Sequence, residues 1–184
     1  MRDLSLHILD LAQNSVRANA ALVEIMVSVD ESRLITITIR DDGSGMSDEL
    51  KERVTSPFAT TRTTRKVGLG IPLMMQNARL AGGDVRIDST LGQGTTLTAT
   101  LRGDSIDCLP LGDLAGTVVS LVSANPERPD FRLSCSSPKG SMDFDTREMR
   151  QALGNVPLNE PEITAWMLSA IQEEIEPIFG GVIL

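Results

Sequence analysis

Residues 60–74, TTRTTRKVGLGIPLM, combine the groups that bind phosphate. Four threonines and three cationic residues fill the first seven positions; the cations are Arg62, Arg65 and Lys66. Gly68 and Gly70 follow and lead into an apolar stretch with helical spacing, so backbone amides would stand free at a helix start. Amides, hydroxyls and cations together predict a phosphate-binding loop. For each of the three cations, a solvated loop position is the alternative.

A second set of polar residues lies on one face of the first predicted helix, residues 3–18. Their spacing of i, i+4, i+7, i+11 and i+14 forms a continuous stripe. The members are Asp3, His7, Asp10, Asn14 and Arg17. The other face is apolar and would pack on a core. The stripe either faces solvent or binds a ligand, and the pattern alone favours neither.

The composition excludes several classes of protein. The chain has 184 residues and a net charge of −8, so we expect no nucleic-acid partner. It lacks a run of 18 apolar residues and its first residues are charged, so we expect neither a membrane span nor a signal peptide. One histidine excludes a multi-histidine metal site. Cys108 and Cys135 lack metal-ligand spacing, and they fit free thiols in a reducing cytoplasm.

The first hundred residues predict the order helix, two strands, short helix, loop, helix, two strands. Residues 22–29 and 34–40 alternate as half-buried strands, and residues 69–81 form a helix that ends at Gly82-Gly83. Strands in adjacent hairpin pairs predict an α+β fold, with a mixed, mostly antiparallel sheet and its helices on one face. The loop G-x-x-x-x-G-K-[ST] of another class of nucleotide-binding proteins is absent from the sequence.

The composition changes near Gly103, which predicts a first domain at residues 1–103 and a small α+β module at residues 104–184. Residues 112–123 have helical spacing, although their valines leave a strand as the alternative. FRLSCSS and SMDFDT predict a hairpin, and capping boxes at Asp145 and Asn159 predict two further helices. The last helix has an apolar stripe of Ile163, Trp166, Met167, Ile171 and Ile178. This stripe packs on the module, or else it is exposed for a homodimer or a partner.

Five motifs together resemble the GHKL superfamily, which comprises gyrase, heat-shock chaperone, histidine-kinase and mismatch-repair ATPases. They are LDLAQNSVRANA, RDDGSGM, SPFATTR, GLGIPLMMQNARLAGG and STLGQGTTLTATL, in the order of the N, G1, F and G2 boxes. Each motif alone is common, but five in the correct order are specific. The resemblance covers about residues 3–101. It implies a Bergerat-type fold, a two-layer α/β sandwich, that binds ATP and Mg²⁺.

The resemblance assigns five residues to the adenine end of the nucleotide. Asp41 matches the G1 aspartate, which accepts a hydrogen bond from the adenine amino group. Gly43 and Gly45 would let the backbone pass close to the base. Met46 would pack near the ring, and Thr95 matches the G2 threonine beside the adenine pocket.

It also assigns residues to the phosphate end. Asn14 matches the N-box asparagine, whose amide oxygen ligates Mg²⁺ between the phosphates. Arg17 stands where many histidine kinases carry a phosphate-contacting lysine. Residues 68–70 match the G2 glycine turn; they are Gly68, Leu69 and Gly70. Residues 59–67 would form a short lid that closes over the phosphates, with Arg62, Arg65 and Lys66 as phosphate ligands.

Asp10 lies one helical turn before Asn14, on the same face. The hydrolytic and serine-kinase branches of the superfamily commonly place a glutamate general base there, whereas many histidine kinases place an asparagine. Asp10 is therefore the candidate catalytic residue. The alternatives are an acceptor for water on Mg²⁺ or an ion-pair partner for Arg17.

The sequence departs from the family pattern in ways that affect function. Lys66 replaces the first glycine of G-x-G-x-G, and Pro72 follows the helix start. The sequence begins almost at the N-box helix, so we expect no hairpin with a phospho-accepting histidine, and His7 is a poor candidate for that role.

Two functions therefore stay open. One is a histidine- or serine-kinase-like phosphotransferase that acts on an unidentified protein partner in signal transduction. The other is an ATP-binding switch or slow ATPase that docks on a larger complex. The C-terminal stretch also resembles the tails of small ATP-binding proteins found beside iron-hydrogenase genes in anaerobic bacteria.

Overall fold

A computed structural model describes residues 2–55 and 69–180. Its six strands are β1 (Leu22–Val29), β2 (Leu34–Asp41), β3 (Val85–Thr90), β4 (Gly94–Arg102), β5 (Asp130–Ser137) and β6 (Gly140–Asp145). They form one sheet in the order β3-β4-β2-β1-β5-β6. Neighbouring strands are antiparallel except β1 and β5, which run parallel. The predicted mixed, mostly antiparallel sheet is confirmed.

The helices are α1 (Leu4–Arg17), α2 (Asp48–Thr55), α3 (Gly70–Leu80), α4 (Leu114–Ala124), α5 (Thr146–Leu153) and α6 (Pro161–Phe179). Asp145 caps α5 as predicted, because its side chain accepts a hydrogen bond from the Arg147 amide. The predicted capping box at Asn159 is wrong. Glu160 stands at the cap of α6 without a side-chain hydrogen bond, and Pro161 begins the helix. Proline favours that first position because it needs no amide partner there.

The sheet buries one face under the helices. In β1, Val23, Ile25, Val27 and Val29 are buried, while the residues between them are partly exposed. Residues 35–39 of β2 and 96–101 of β4 alternate in the same way, so their threonines lie on the open face and their aliphatic side chains on the other. The period-two pattern of the sequence thus places the hydrophobic core between the sheet and the helices.

The sheet and the core continue across Gly103. Strand β5 pairs with β1, and Leu22 aligns with Asp130. Buried side chains after Gly103, such as Leu114 and Phe131, belong to the same hydrophobic cluster as those before it. The division at Gly103 stays a prediction about function. In structural terms, both parts contribute to one sheet.

The apolar stripe of α6 faces inward, with one exception. Met167, Ile171, Ile175 and Ile178 are buried, but Trp166 is 59% exposed. Neighbouring residues in a helix point roughly 100° apart, so Trp166 lies outside the arc that contains Met167. Within the described parts of the chain, no helix is long and apolar enough to cross a membrane.

Candidate functional site

A cleft of about 260 Å³ opens between α1, the end of β2 and the start of β4. Its polar lining consists of Asn14, Ser15, Arg17, Asp41, Ser44 and Thr95. Its apolar lining includes Leu11, Ile39, Met46, Leu50, Val54, Ile71 and Leu97. An apolar cleft with a few convergent polar groups is the usual form of a small-molecule site.

Helix α1 forms one side of the cleft. Asp3 caps it by accepting a hydrogen bond of 2.9 Å from the Leu6 amide. The buried face of α1 packs against the core, and this leaves Asn14 and Arg17 facing the cleft and Asp10 exposed. The polar residues predicted to form one stripe along α1 therefore do not share one surface in the structure.

His7 departs from that stripe because it is fully buried. Asn77 of α3 donates a hydrogen bond of 2.7 Å to Nε2 when the ring is the Nδ1–H tautomer. Burial lowers the pKa of His7, and the N-terminal charge lowers it further. The neutral ring therefore joins α1 to α3. His7 therefore belongs neither to a solvent-facing nor to a ligand-facing surface of the stripe.

Asp41 ends β2 at the base of the cleft, where it is 9% exposed. The Ser15 hydroxyl donates to Oδ2 at 2.6 Å, and the Gly43 amide donates to Oδ1 at 2.9 Å. Two donors from different elements hold the carboxylate plane. Ser15 was not predicted as a site residue because it lies in the buried stripe of α1. A serine among apolar positions was the available signal, since a buried hydroxyl needs a partner.

The turn after Asp41 requires its glycines for packing. A Cβ on Gly43 would lie 2.7 Å from the carbonyl oxygen of Ala18. Gly45 has a φ of +62°, and its Cβ would overlap the carbonyl oxygen of Thr90. Both contacts are with protein atoms, so these glycines fit the turn between α1 and the β3–β4 hairpin. Their role in the approach of a base stays a prediction.

Ser89 is a second residue that the sequence analysis missed. Its hydroxyl accepts from the Met46 amide at 2.8 Å and donates to the Gly94 carbonyl at 3.0 Å. The Thr95 hydroxyl lies 2.9 Å away and acts as a further donor to Ser89. This buried hydroxyl therefore fixes Met46 and Thr95 on the same wall of the cleft.

Asp42 anchors the same turn on the side away from the cleft. Its Oδ1 accepts from the Ala21 and Leu22 amides at 2.7 and 3.0 Å. Burial raises the pKa of Asp42, but these hydrogen bonds outweigh it and leave the pKa below the ordinary value. The ionised carboxylate thus joins the end of β2 to the start of β1.

The other end of the cleft contains Asn14 and Arg17. Arg17 donates from Nη1 to the Asn14 side-chain oxygen at 3.2 Å. Asp10 lies beside the start of α3, because a Cβ on Gly70 would be 3.2 Å from its Cβ. Leu69, just before α3, is 63% exposed. Asp10 thus lies next to the first turn of α3, and Asn14 and Arg17 line the cleft together with Ile71 of that helix.

Comparison with known proteins identifies the family. Residues 2–105, more than half of the chain, match the family described as "Histidine kinase-, DNA gyrase B-, and HSP90-like ATPase". The chain belongs to this GHKL family. Membership confirms the resemblance and the Bergerat-type fold, and it implies that the chain binds ATP.

Individual relatives are histidine kinases. The chain is 30% identical to the sensor histidine kinase WalK of Bacillus subtilis over 100 residues, which cover 50% of the chain and 16% of WalK. It is 30% identical to the histidine protein kinase DivJ of Caulobacter vibrioides over 105 residues, 54% of the chain and 18% of DivJ. The chain thus spans less than a fifth of these relatives.

Among solved structures, the chain resembles the histidine kinase domain of the blue-light activated histidine kinase from Erythrobacter litoralis EL346. The sequence identity is 19%, the TM-score is 0.32, and the match covers 44% of this chain and 31% of that one.

The structure places seven of the fourteen GHKL residues predicted from sequence at one cleft. Six line the cleft or its polar wall: Asn14, Arg17, Asp41, Gly45, Met46 and Thr95. Gly43 adjoins them through its bond to Asp41. Four others lie outside the described residues, together with the predicted closure of the lid; they are Arg62, Arg65, Lys66 and Gly68.

The oxygen donors near Asn14 fit Mg²⁺. Asn14 presents an amide oxygen, and Asp10 presents a carboxylate one turn away on α1. Residues 2–55 and 69–180 contain no group of three acidic, histidine or cysteine side chains that would hold a metal alone. Mg²⁺ commonly uses one or two protein oxygens together with phosphates and water. The Asn14 oxygen already accepts one hydrogen bond from Arg17, and its second lone pair is available to a metal ion.

Proposed function

We propose that this chain is a Mg-ATP-binding, histidine-kinase-like catalytic domain that phosphorylates or regulates a protein partner. The observation that carries this proposal is a single cleft with Asp41 at its base and Asn14 with Arg17 at its phosphate end. A buried carboxylate is a hydrogen-bond acceptor for an amino group, and an amide oxygen with a cation suits metal-bound phosphates.

The adenine base would lie against the apolar wall that contains Ile39, Met46 and Leu97. Its amino group would donate to Asp41, whose carboxylate is already oriented by Ser15 and Gly43. When bound, Mg²⁺ neutralises phosphate charge and makes the terminal phosphoryl group a better electrophile. Asn14 would hold the ion, and Arg17 would turn from Asn14 to a phosphate.

The phospho-acceptor in this proposal lies outside these 184 residues. His7 is their single histidine and is fully buried. Asp10 is exposed beside the start of α3, where it can reach a hydroxyl, imidazole or water presented from outside. The two free thiols, Cys108 and Cys135, support the cytoplasmic location that forms part of the proposal.

One observation favours the alternative of an ATP-dependent switch. The Leu4 and Ser5 amides of α1 donate to the Pro110 and Leu111 carbonyls, both at 2.9 Å. The segment after Gly103 therefore contacts the first turn of the helix that carries Asp10 and Asn14. A partner bound to the C-terminal half would act on the nucleotide site through this contact, with or without phosphoryl transfer.

Calorimetric titration of ATP with and without Mg²⁺ tests the proposed site. We expect Mg²⁺ to tighten ATP binding in the wild type and to have little effect in Asn14→Ala, because that variant lacks the ligand oxygen. Gln13→Ala is the matched control, since Gln13 adjoins Asn14 on α1 but does not line the cleft. An equal Mg²⁺ effect in all three proteins would contradict the assignment.

Transfer of label from γ-labelled ATP to candidate partners separates the two functions. In a kinase, Asp10→Asn lowers transfer even at saturating Mg-ATP, because filling the nucleotide site does not restore a lost general base. In a switch, no partner is labelled, and ATP changes only the affinity for the partner.

A further inference from the structure

The hydrogen bond between Ser15 and Asp41 joins two elements at the base of the cleft. Ser15 belongs to α1 and is 3% exposed, while Asp41 ends β2. The donor–acceptor distance is 2.6 Å, an ordinary length for a charge-assisted bond from a hydroxyl to a carboxylate. With the Gly43 amide on the other oxygen, this bond leaves the carboxylate one orientation about its χ2 axis.

We propose that Ser15 is a positioning residue that sets the base specificity of the nucleotide site. By holding Asp41, it aims a remaining lone pair into the cleft, where an exocyclic amino group of a purine can donate to it. The inference rests on the proposed function and extends it, since it names the residue that makes the acceptor selective. Ser15 itself does not need to touch the base.

A fixed acceptor discriminates more strongly than a mobile one. A 6-amino purine donates a hydrogen bond to the oriented carboxylate. A 6-oxo purine presents a carbonyl oxygen at the same position, so two acceptors face each other and the carboxylate loses its partner. A carboxylate free to rotate would turn away from the oxo group and accept water instead. Removing the Ser15 hydroxyl therefore weakens the amino base and relieves the penalty on the oxo base.

No other side chain in the described ranges can substitute for Ser15. Thr95 stands opposite Asp41 in the β2–β4 register, but its hydroxyl bonds to Ser89. Gly43 contributes only its backbone amide. Ser15 is therefore the one side-chain donor to Asp41 in residues 2–55 and 69–180.

Helix α1 also contains a matched control for this proposal. Ser5 is 1% exposed, and its hydroxyl donates at 2.6 Å to the carbonyl of Leu111, away from the cleft. Ser5→Ala and Ser15→Ala thus remove the same group from equally buried positions of one helix. Both variants should lose stability, but only Ser15→Ala loses a hydrogen bond to a residue that lines the cleft.

The test is calorimetric titration of ADP and IDP into the wild type and the two variants. We expect Ser15→Ala to lower the preference for ADP over IDP by about tenfold, as for loss of a hydrogen bond to a charged group. Ser5→Ala should keep the wild-type ratio within about twofold, because its lost bond does not reach the nucleotide. Both ligands are measured on the same sample, so a reduced folded fraction cancels from the ratio.

The outcomes separate this inference from the proposed function. A wild type that binds neither nucleotide overturns the proposed function and the inference together. A wild type that prefers ADP, with equal ratios in Ser15→Ala and Ser5→Ala, overturns the role of Ser15 alone. A Ser15→Ala protein whose Mg²⁺ effect on ATP binding also disappears shows that α1 has moved as a whole, and this too overturns the positioning role.

Discussion

Replacement of Asp41 by asparagine tests the base of the cleft most directly. Asparagine has the same shape, but one carboxylate oxygen becomes an amide group that donates. The Gly43 amide requires an acceptor, so the amide oxygen must face Gly43 and the NH₂ group must face Ser15. Ser15 can then reverse its role and accept, which preserves the fold while the negative charge and one acceptor disappear.

The expected loss follows from the lost acceptor. A hydrogen bond from the base to a charged acceptor contributes about 1–3 kcal/mol, so ADP and ATP should bind about 5- to 150-fold more weakly to Asp41→Asn. Because the change is at the adenine end, ADP and ATP should weaken by the same factor. Isothermal titration calorimetry measures both affinities.

Asp42→Asn is the matched control for this measurement. It makes the same chemical change one residue away, but Asp42 bonds to the Ala21 and Leu22 amides instead of lining the cleft. We expect it to lower the unfolding temperature and to leave nucleotide affinity nearly unchanged. Unchanged ATP affinity in a folded Asp41→Asn protein would refute the assignment of Asp41.

Three further predictions concern stability. Gly45→Ala should destabilise the fold by more than about 1 kcal/mol, measured by urea unfolding, because its positive φ and the Thr90 carbonyl both oppose a Cβ; a neutral effect would contradict the packing of this turn. Burial holds the pKa of His7 below 6.5, so the unfolded chain binds its proton more readily and stability falls as pH drops below that value. His7→Gln should flatten this pH dependence in thermal melts, and equal slopes would assign it to other groups. A chain truncated after Gly103 should unfold cooperatively at a lower urea concentration and bind ATP more weakly, because β1 loses β5 and α1 loses the Leu111 carbonyl; wild-type stability and affinity would show that residues 1–103 fold independently.

The sequence alone determined the elements that depend on local patterns. Period-two alternation predicted β1 and β2, since side chains of a strand alternate between faces whatever the strand order. Asp145 was recognised as a cap because capping involves residues two or three apart. The GHKL motifs were recognised from their residues and from their order along the chain. The family match confirms this resemblance.

Only the tertiary structure decided which surfaces meet. The parallel pairing of β5 with β1 joins residues more than a hundred positions apart, and no local pattern specifies it. The burial of His7 and the exposure of Trp166 were not predicted for the same reason: the angular spacing of a helix is fixed, but the elements packed against it determine which side is buried. Ser15 and Ser89 were assigned no role in the sequence analysis. They belong to the site because a buried hydroxyl needs a hydrogen-bond partner. The packing of α1 against β2 brings Ser15 to Asp41, and the pairing of β3 with β4 brings Ser89 to Met46 and Thr95.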